Sequence, residues 1–209
     1  FRNLLFVIFI NSAAIMIIYI LFIILLNLFI GQEIKIPFNE NSFILYEGSH
    51  PAHKWEGISN DVRGGIVCSD NECFVQVIVP LESFDSGNSG RDSNMLFSTE
   101  SHKYPYVKYY SEPFFVEMIN NVEWSSEVSP NSRKFIDLLG YIEFHGIKKE
   151  ITSSVVISYQ DSVLLGVSDF NLSLDDYKIK KPQLLFAPIS DQIKLKCNLY
   201  CDNIFSKLY

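Results

Sequence analysis

Beyond Gln32 the apolar residues of this chain recur at every second position, and that spacing limits the fold more than any other feature. Across 191–200, Ile193, Leu195, Cys197 and Leu199 share one face of an extended strand, while Lys194, Lys196 and Asn198 share the other. Phe170, Leu172 and Leu174 alternate with Asn171 and Ser173 in the same way. Over 149–159, Ile151, Val155, Ile157 and Tyr159 fall on one side. The pattern predicts further strands at 42–48, 61–68, 73–81, 105–112, 113–124 and 135–145. Turn-forming stretches, Ser69-Asp-Asn-Glu72, Ser86-Gly-Asn-Ser-Gly90 and Ser129-Pro-Asn-Ser132, separate them. Eight or more antiparallel strands with one apolar face each must close or form a sandwich, because an open edge invites aggregation. The expectation is one all-β domain over 33–209, with Val77, Phe170, Leu172 and Leu195 pointing into its core. Abundant aromatic and β-branched residues agree with that class.

Residues 1–32 follow a different rule. No charge interrupts the stretch from Arg2 to Glu33. A helix of ~20 such residues spans a hydrocarbon core of ~30 Å, whereas the apolar part of a secretory signal is usually ~7–15 residues long. Length favours a transmembrane anchor, and the polar stretch opening at Gln32 suits a cleaved signal. A buried core helix is the bland alternative. Either of the first two readings exports the domain, to the periplasm or elsewhere in the cell envelope. Arg2 on the short side agrees with the positive-inside tendency.

Several chemistries have no support. The net charge of −7 makes nucleic acid a poor partner. Lys178, Lys180, Lys181, Lys194 and Lys196 alternate with apolar residues and read as the solvated face of strands. His50-Pro-Ala-His53 offers two metal ligands, but no Cys or carboxylate pattern completes a site. Gly87-Asn-Ser-Gly90 lacks the spacing of a nucleophilic-serine turn, and no phosphate-cradling glycine loop occurs. The carboxylates are scattered. Neither a catalytic residue nor a cofactor is expected.

The cysteines are more informative. Cys68 and Cys73 flank a four-residue loop between two apolar strands. Pairing them also pairs Ile66 with Val75 and Gly64 with Val77, so the apolar faces coincide. Directly opposite residues have Cα atoms ~4.5–5.5 Å apart, within disulfide range. A Cys68–Cys73 bridge is expected, in keeping with an oxidising compartment. The alternative is two free thiols on a core-facing hairpin. Cys197 and Cys201 cannot pair within one extended strand, since four residues span ~13 Å. They meet only if the chain turns near Tyr200.

Four segments, in order, resemble the YceI-like polyisoprenoid-binding family. The first is Phe43-Ile-Leu-Tyr-Glu-Gly-Ser-His-Pro-Ala-His-Lys-Trp55, similar to that family's opening strand. The second, over 80–96 and followed by Lys103-Tyr-Pro105, contains Ser83-Phe-Asp-Ser-Gly87 and Arg91-Asp-Ser-Asn94, with Asn94 where the family pattern has His. The third is Gly140-Tyr-Ile-Glu-Phe-His-Gly-Ile-Lys-Lys149, and the last runs from Leu174 to Leu185 with the closing strand after it. Residues 113–139 match poorly. The resemblance implies a lipocalin-like, eight-stranded antiparallel barrel preceded by the apolar N-terminal helix. It implies that a long isoprenoid or similar amphiphile is held inside, without catalysis. Candidate ligand-binding residues are Ile66, Val77, Val79, Tyr109, Phe170, Leu172, Phe186 and Leu195 in the barrel, with Arg91, Asp92 and His53 at its mouth. Whether the aromatics fill the barrel or line a hollow stays open. Arg91 and Asp92, in the long connection 85–103 with its helix-like segment near 93–102, either meet a polar head group or bond the loop's own backbone. His53 and Trp55 either plug one barrel end or touch ligand. An enzyme acting on a lipid in the same cavity and a solid, packed envelope-stress protein are the competing functions. A homodimer is compatible with all three.

Overall fold

The computed structural model describes residues 16–21, 33–120, 133–160, 162–184 and 187–202. The chain divides into two units, Phe1–Glu33 and Ile34–Tyr209. In the first, residues 16–21 are helical and exposed. Among the described residues no helix is long and apolar enough to cross a membrane. The rest of the expected anchor or signal lies outside the described residues.

The described residues of the second unit form thirteen strands. They are β1 (Ile34–Pro37), β2 (Phe43–His50), β3 (His53–Ser59), β4 (Arg63–Ser69), β5 (Glu72–Pro80), β6 (Tyr106–Ser111), β7 (Phe114–Phe115), β8 (Lys134–Phe144), β9 (Ile147–Gln160), β10 (Val163–Ser173), β11 (Gln183–Leu184), β12 (Ala187–Pro188) and β13 (Gln192–Asp202). β1 and β2 act as one bent strand, and β3 and β4 as its hairpin partner, for β1 pairs antiparallel with β4 and β2 with β3. The register shifts by one residue between these two ladders, a bulge that turns the hairpin. From β4 the sheet runs through β5, β6, β8, β9 and β10 to β13, always antiparallel. β13 then pairs with β2, and Phe38 bridges Cys201. The Asn39 amide donates to the Tyr200 carbonyl at 2.8 Å, so the first composite strand meets the last. Eight composite strands thus form an up-and-down ring, as the alternating sequence requires once edges are to be removed.

Connectivity sorts the loops to two ends. The β2–β3 turn, the connection 81–105, the β8–β9 turn and the segment 174–191 lie at one end, here called the mouth. The β4–β5 turn, the connection after β6 and the β9–β10 turn lie at the other. The mouth is stitched together by few contacts. His145, at φ 51° in the tight β8–β9 turn, bonds through Nδ1 with the Tyr177 carbonyl at 2.8 Å. Asp191 accepts from Ser173 Oγ at 2.6 Å and from the Asp175 amide at 2.9 Å, closing the 174–191 segment on itself.

Several expectations need correction. Residues 113–120 are not one strand: Phe114–Phe115 pairs briefly with β5, and a one-turn helix, Glu117–Asn120, follows, while 121–124 of the expected strand lie outside the described residues. The cause is local, since the Val116 amide donates to Asn71 and Ile119 bonds back to Val116, which curls the chain. The Cys68–Cys73 loop is tighter than four residues, because Ser69 pairs with Glu72 and only Asp70 and Asn71 turn, Asp70 at φ 54°. The helix in the long connection is Ser89–Ser98, starting before residue 93, because Asn88 caps it by accepting from the Arg91 amide at 3.0 Å. His53–Ser59 forms a full strand that alternation had not marked. Of the lysines read as a solvated strand face, only Lys194 and Lys196 are on a strand, while Lys178, Lys180 and Lys181 lie in the mouth segment.

Candidate ligand-binding pocket

Inward residues on strands around the ring surround a pocket of about 590 Å³. Its wall is apolar: Ile66 from β4, Val75, Val77 and Val79 from β5, Tyr109 from β6 and Leu138 from β8. Phe170 and Leu172 of β10, with Leu195 and Leu199 of β13, continue it. Gly166 opens the β10 wall, since a Cβ built there meets only Val155 Cγ1 at 3.5 Å and the Leu199 carbonyl at 4.0 Å. Phe38, Phe114 and Ile119 line the far end, and the Cys68–Cys73 disulfide, with an S–S length of 2.02 Å, ties the hairpin there. At the mouth the helix Ser89–Ser98 turns Arg91, Met95 and Ser98 towards the pocket, a spacing of four and three residues that places them on one helix face. Ile179, Pro182 and Ile189 bound the mouth from the other side.

Polar groups in the wall are few and mostly committed. Ser168 donates to the Ser154 carbonyl at 2.9 Å, and the Ser153 hydroxyl lies 2.8 Å from it. Tyr109 donates to the Leu138 carbonyl at 3.4 Å, and burial pushes its hydroxyl up to about 12. Burial likewise pushes the Cys197 thiol up to about 12, with Asp169 adding to the effect, so the thiol stays protonated and unreactive. No carboxylate is among the residues described as lining the pocket. Among the described residues no group of three or more His, Cys, Asp or Glu is placed to hold a metal.

The mouth is where charge enters. The Arg91 guanidinium lies 5.5 Å from the Trp55 ring centroid and donates through Nη1 to the Ser86 carbonyl at 3.3 Å. Asp92 accepts from the Ser86 hydroxyl at 2.6 Å and its amide at 3.2 Å. Tyr46 completes this group: burial and nearby Asp92 raise its hydroxyl, while Arg91 and hydrogen bonds with Ser86 and Trp55 offset part of the rise. The cross-strand partner of each mouth aromatic is a glycine, Gly57 for Tyr46 and Gly48 for Trp55. A Cβ on Gly57 would sit 2.3 Å from Tyr46 Cε1, so the bare backbone is what lets the ring lie across the hairpin. His53 lines the pocket with its ring 5.4 Å from Trp55, while His50 is buried and accepts the Ala52 amide at Nδ1.

The structure thus brings Ile66, Val77, Val79, Tyr109, Phe170, Leu172, Leu195, Arg91 and His53 to one pocket. Asp92 is not among the lining residues, because its carboxylate faces Ser86 and holds the loop. Phe186 lies outside the described residues. Cys197 and Cys201 are not joined in a disulfide, and both line the wall. Sequence reasoning did not single out Met95 and Thr99 of the mouth helix or the Ser153–Ser168 pair. Met95 had a readable signal in its helical spacing from Arg91 and Ser98. The serines had none, for their parity on β9 and β10 is that of the apolar residues around them.

Taken together, the ring and its apolar interior define an up-and-down antiparallel barrel. The sequence matches the YceI-like domain over residues 38–201, which is most of the chain, and this protein belongs to the YceI-like family. No curated protein matches it. Two solved structures share the fold at low identity. One is described as a polyisoprenoid binding domain from Saccharophagus degradans implicated in plant cell wall breakdown, with a TM-score of 0.67 and 14% identity, covering 81% of this chain and 98% of that one. The other is Burkholderia cenocepacia BcnA, with a TM-score of 0.62 and 11% identity, covering 78% and 98%.

Proposed function

We propose that this protein binds and carries, without catalysis, a long isoprenoid or similar amphiphile whose chain occupies the barrel pocket. The observation that carries this reading is a pocket of about 590 Å³ whose described lining residues are largely apolar and include no carboxylate. That volume falls in the ~300–1,000 Å³ range of small-molecule sites. Each five-carbon unit buried there contributes roughly 2–4 kcal/mol gross, before ordering costs. A few units suffice for tight binding with no reacting group. The Saccharophagus relative is described as binding polyisoprenoid, which supports the same ligand class here. At the mouth, Arg91 is the cation that meets an anionic or otherwise polar head group, beside His53 and Trp55. The uncharged N-terminal stretch and the Cys68–Cys73 bridge support an exported protein working in the cell envelope.

Mass spectrometry of lipids extracted from the purified chain tests this. The expected result is one unmodified long-chain isoprenoid or related amphiphile per chain. Recovery of a chemically altered lipid after incubation with a defined prenol would replace the carrier reading with an enzymatic one. A chain that carries nothing and takes up nothing would contradict both.

A further inference from the structure

Both ends of the barrel carry both signs of charge, but they differ in balance and pairing. At the end that carries the disulfide, Asp70, Glu72, Glu112, Glu117 and Asp202 are exposed, against Lys35 and Arg133. The exposed carboxylates of the mouth include Glu82, Asp85, Glu100, Asp175 and Asp176, of which Glu100 lies 3.8 Å from His145, Asp176 is bound to Lys149 and Asp175 to Lys181. At the mouth, Lys54, Lys103, Lys178 and Lys180 are exposed, and none stands in an ion pair among the described residues. The other mouth-segment lysine, Lys181, is tied to Asp175 and Asp191. The Lys103 ammonium lies 4.8 Å from the Tyr104 ring centroid, and the other three frame the opening. Lys54 lies between His53 and Trp55, and Lys178 and Lys180 flank Ile179, all three of which line the pocket. One large apolar side chain stands out beside them: Phe97, on the mouth helix next to Ser98, is 85% exposed. Leaving a ring of that size in water is unfavourable, and nothing in the barrel shields it.

An exposed aromatic among lysines is the chemistry of interfacial binding, in which the ring enters the acyl boundary and ammonium groups meet phosphates. We infer that the mouth docks on an anionic phospholipid surface through Phe97, Lys54, Lys103, Lys178 and Lys180. The inference rests on the lipid-carrier reading, because docking there gives the ligand a path from bilayer to pocket without crossing water. The balance of charge favours this orientation, since the mouth lysines that stand in no ion pair attract an anionic surface, while the exposed carboxylates outnumber the exposed cations at the far end. Towards the far end Phe115, 58% exposed, is flanked by Glu112 and Glu117, whereas Phe135, 77% exposed beside Lys134, is the competing anchor, and protection at 134–136 on anionic vesicles would place docking there instead.

Hydrogen–deuterium exchange on the whole chain tests the docking, with vesicles of phosphatidylcholine alone or mixed with phosphatidylglycerol. Comparing the two vesicle types cancels any general affinity of the apolar N-terminus. Protection confined to 52–55, 93–103 and 176–182 with anionic vesicles, lost at high salt, is the expected result. Lys178→Gln with Lys180→Gln lowers the docked-to-undocked ratio roughly fivefold for each lysine removed. The variant keeps its bound lipid, because Ile179 between the two lysines remains. Lipid-loaded chain with no mouth protection, or with protection at 69–72 or 134–136, overturns the docking and leaves the carrier reading standing. A chain that never holds lipid instead removes the reading on which the docking rests.

Discussion

Arg91 sits between two duties. Its Nη1 donates to the Ser86 carbonyl 3.3 Å away, and its guanidinium lies 5.5 Å from the Trp55 centroid, yet the side chain also borders the pocket. The loop's own bond uses one of five guanidinium N–H groups and leaves donors for a head group. Asp92, next in sequence, has no such freedom, since both its oxygens accept from Ser86. Arg91→Ala is therefore expected to weaken binding of a prenyl phosphate by about tenfold or more, the scale of one lost charge-assisted bond. Binding of a bare isoprenoid hydrocarbon should be nearly unchanged. Titration of the purified variant with both ligands checks this, and equal losses for the two would reduce Arg91 to a loop-holding residue. The pair also shows why neighbouring residues with the same sequence context were not separable beforehand. Which of Arg91 and Asp92 faces the pocket depends on where the helix starts, and Asn88 sets that start through a single cap.

At the element scale, the hairpin β4–β5 and the mouth segment 174–191 are the two ends of the barrel, and each has its own tie. The Cys68–Cys73 bridge closes a short loop, with Cα atoms 4.0 Å apart. Replacing both cysteines by serine is expected to cost about 2 kcal/mol of stability. Ligand affinity should not change, because neither cysteine lines the pocket. Denaturant titration and ligand titration of the same variant check the two halves of that statement. The mouth segment depends instead on Asp191. Burial alone would raise its carboxyl, but Ser173, the Asp175 amide and Lys181 together bring it down to about 2. A folded value below the ordinary 3.8 means the contribution is complete above pH 4 and is lost as pH falls towards 2. Asp191→Asn should melt earlier than the parent at neutral pH, with the gap narrowing below pH 4 and closing near pH 2. A gap independent of pH would contradict the assignment. These elements also mark how far alternation could be read. β5, β8, β10 and β13 carry period two in apolar side chains, so parity alone oriented Val77, Phe170, Leu172 and Leu195. β3 carries only His53, Trp55 and Gly57 inward before Ser59, and a glycine beneath Tyr46 gives no apolar signal. Residues 113–116 look like a strand in composition, and what bends them is a backbone bond to Asn71, far away in sequence.

For the whole molecule, the ring of eight composite strands removes every long edge, and the apolar faces that would otherwise pack a solid core instead surround about 590 Å³. The same sequence pattern serves a packed barrel and an open one, because parity fixes which side chains point inward but not how much volume they fill. The difference lies in particular residues. Gly166, Ser153 and Ser168 stand in the wall where large side chains would close it, and the long connections that cap the mouth leave its helix beside the opening. The central claim, that a lipid chain occupies this space, is tested most directly by filling it from the protein side. Gly166 lies on the wall of β10, and its added Cβ meets only ordinary contacts. Gly166→Phe should therefore fold with the thermal midpoint of the parent or a higher one, with its ring standing where ligand would lie. The decisive measurement is equilibrium uptake of a labelled long-chain prenol by this variant and the parent, after both are stripped of lipid. The account predicts stoichiometric uptake by the parent and at least a tenfold weaker affinity for Gly166→Phe, about 1.4 kcal/mol or more. Parent-like uptake by a folded Gly166→Phe would contradict it.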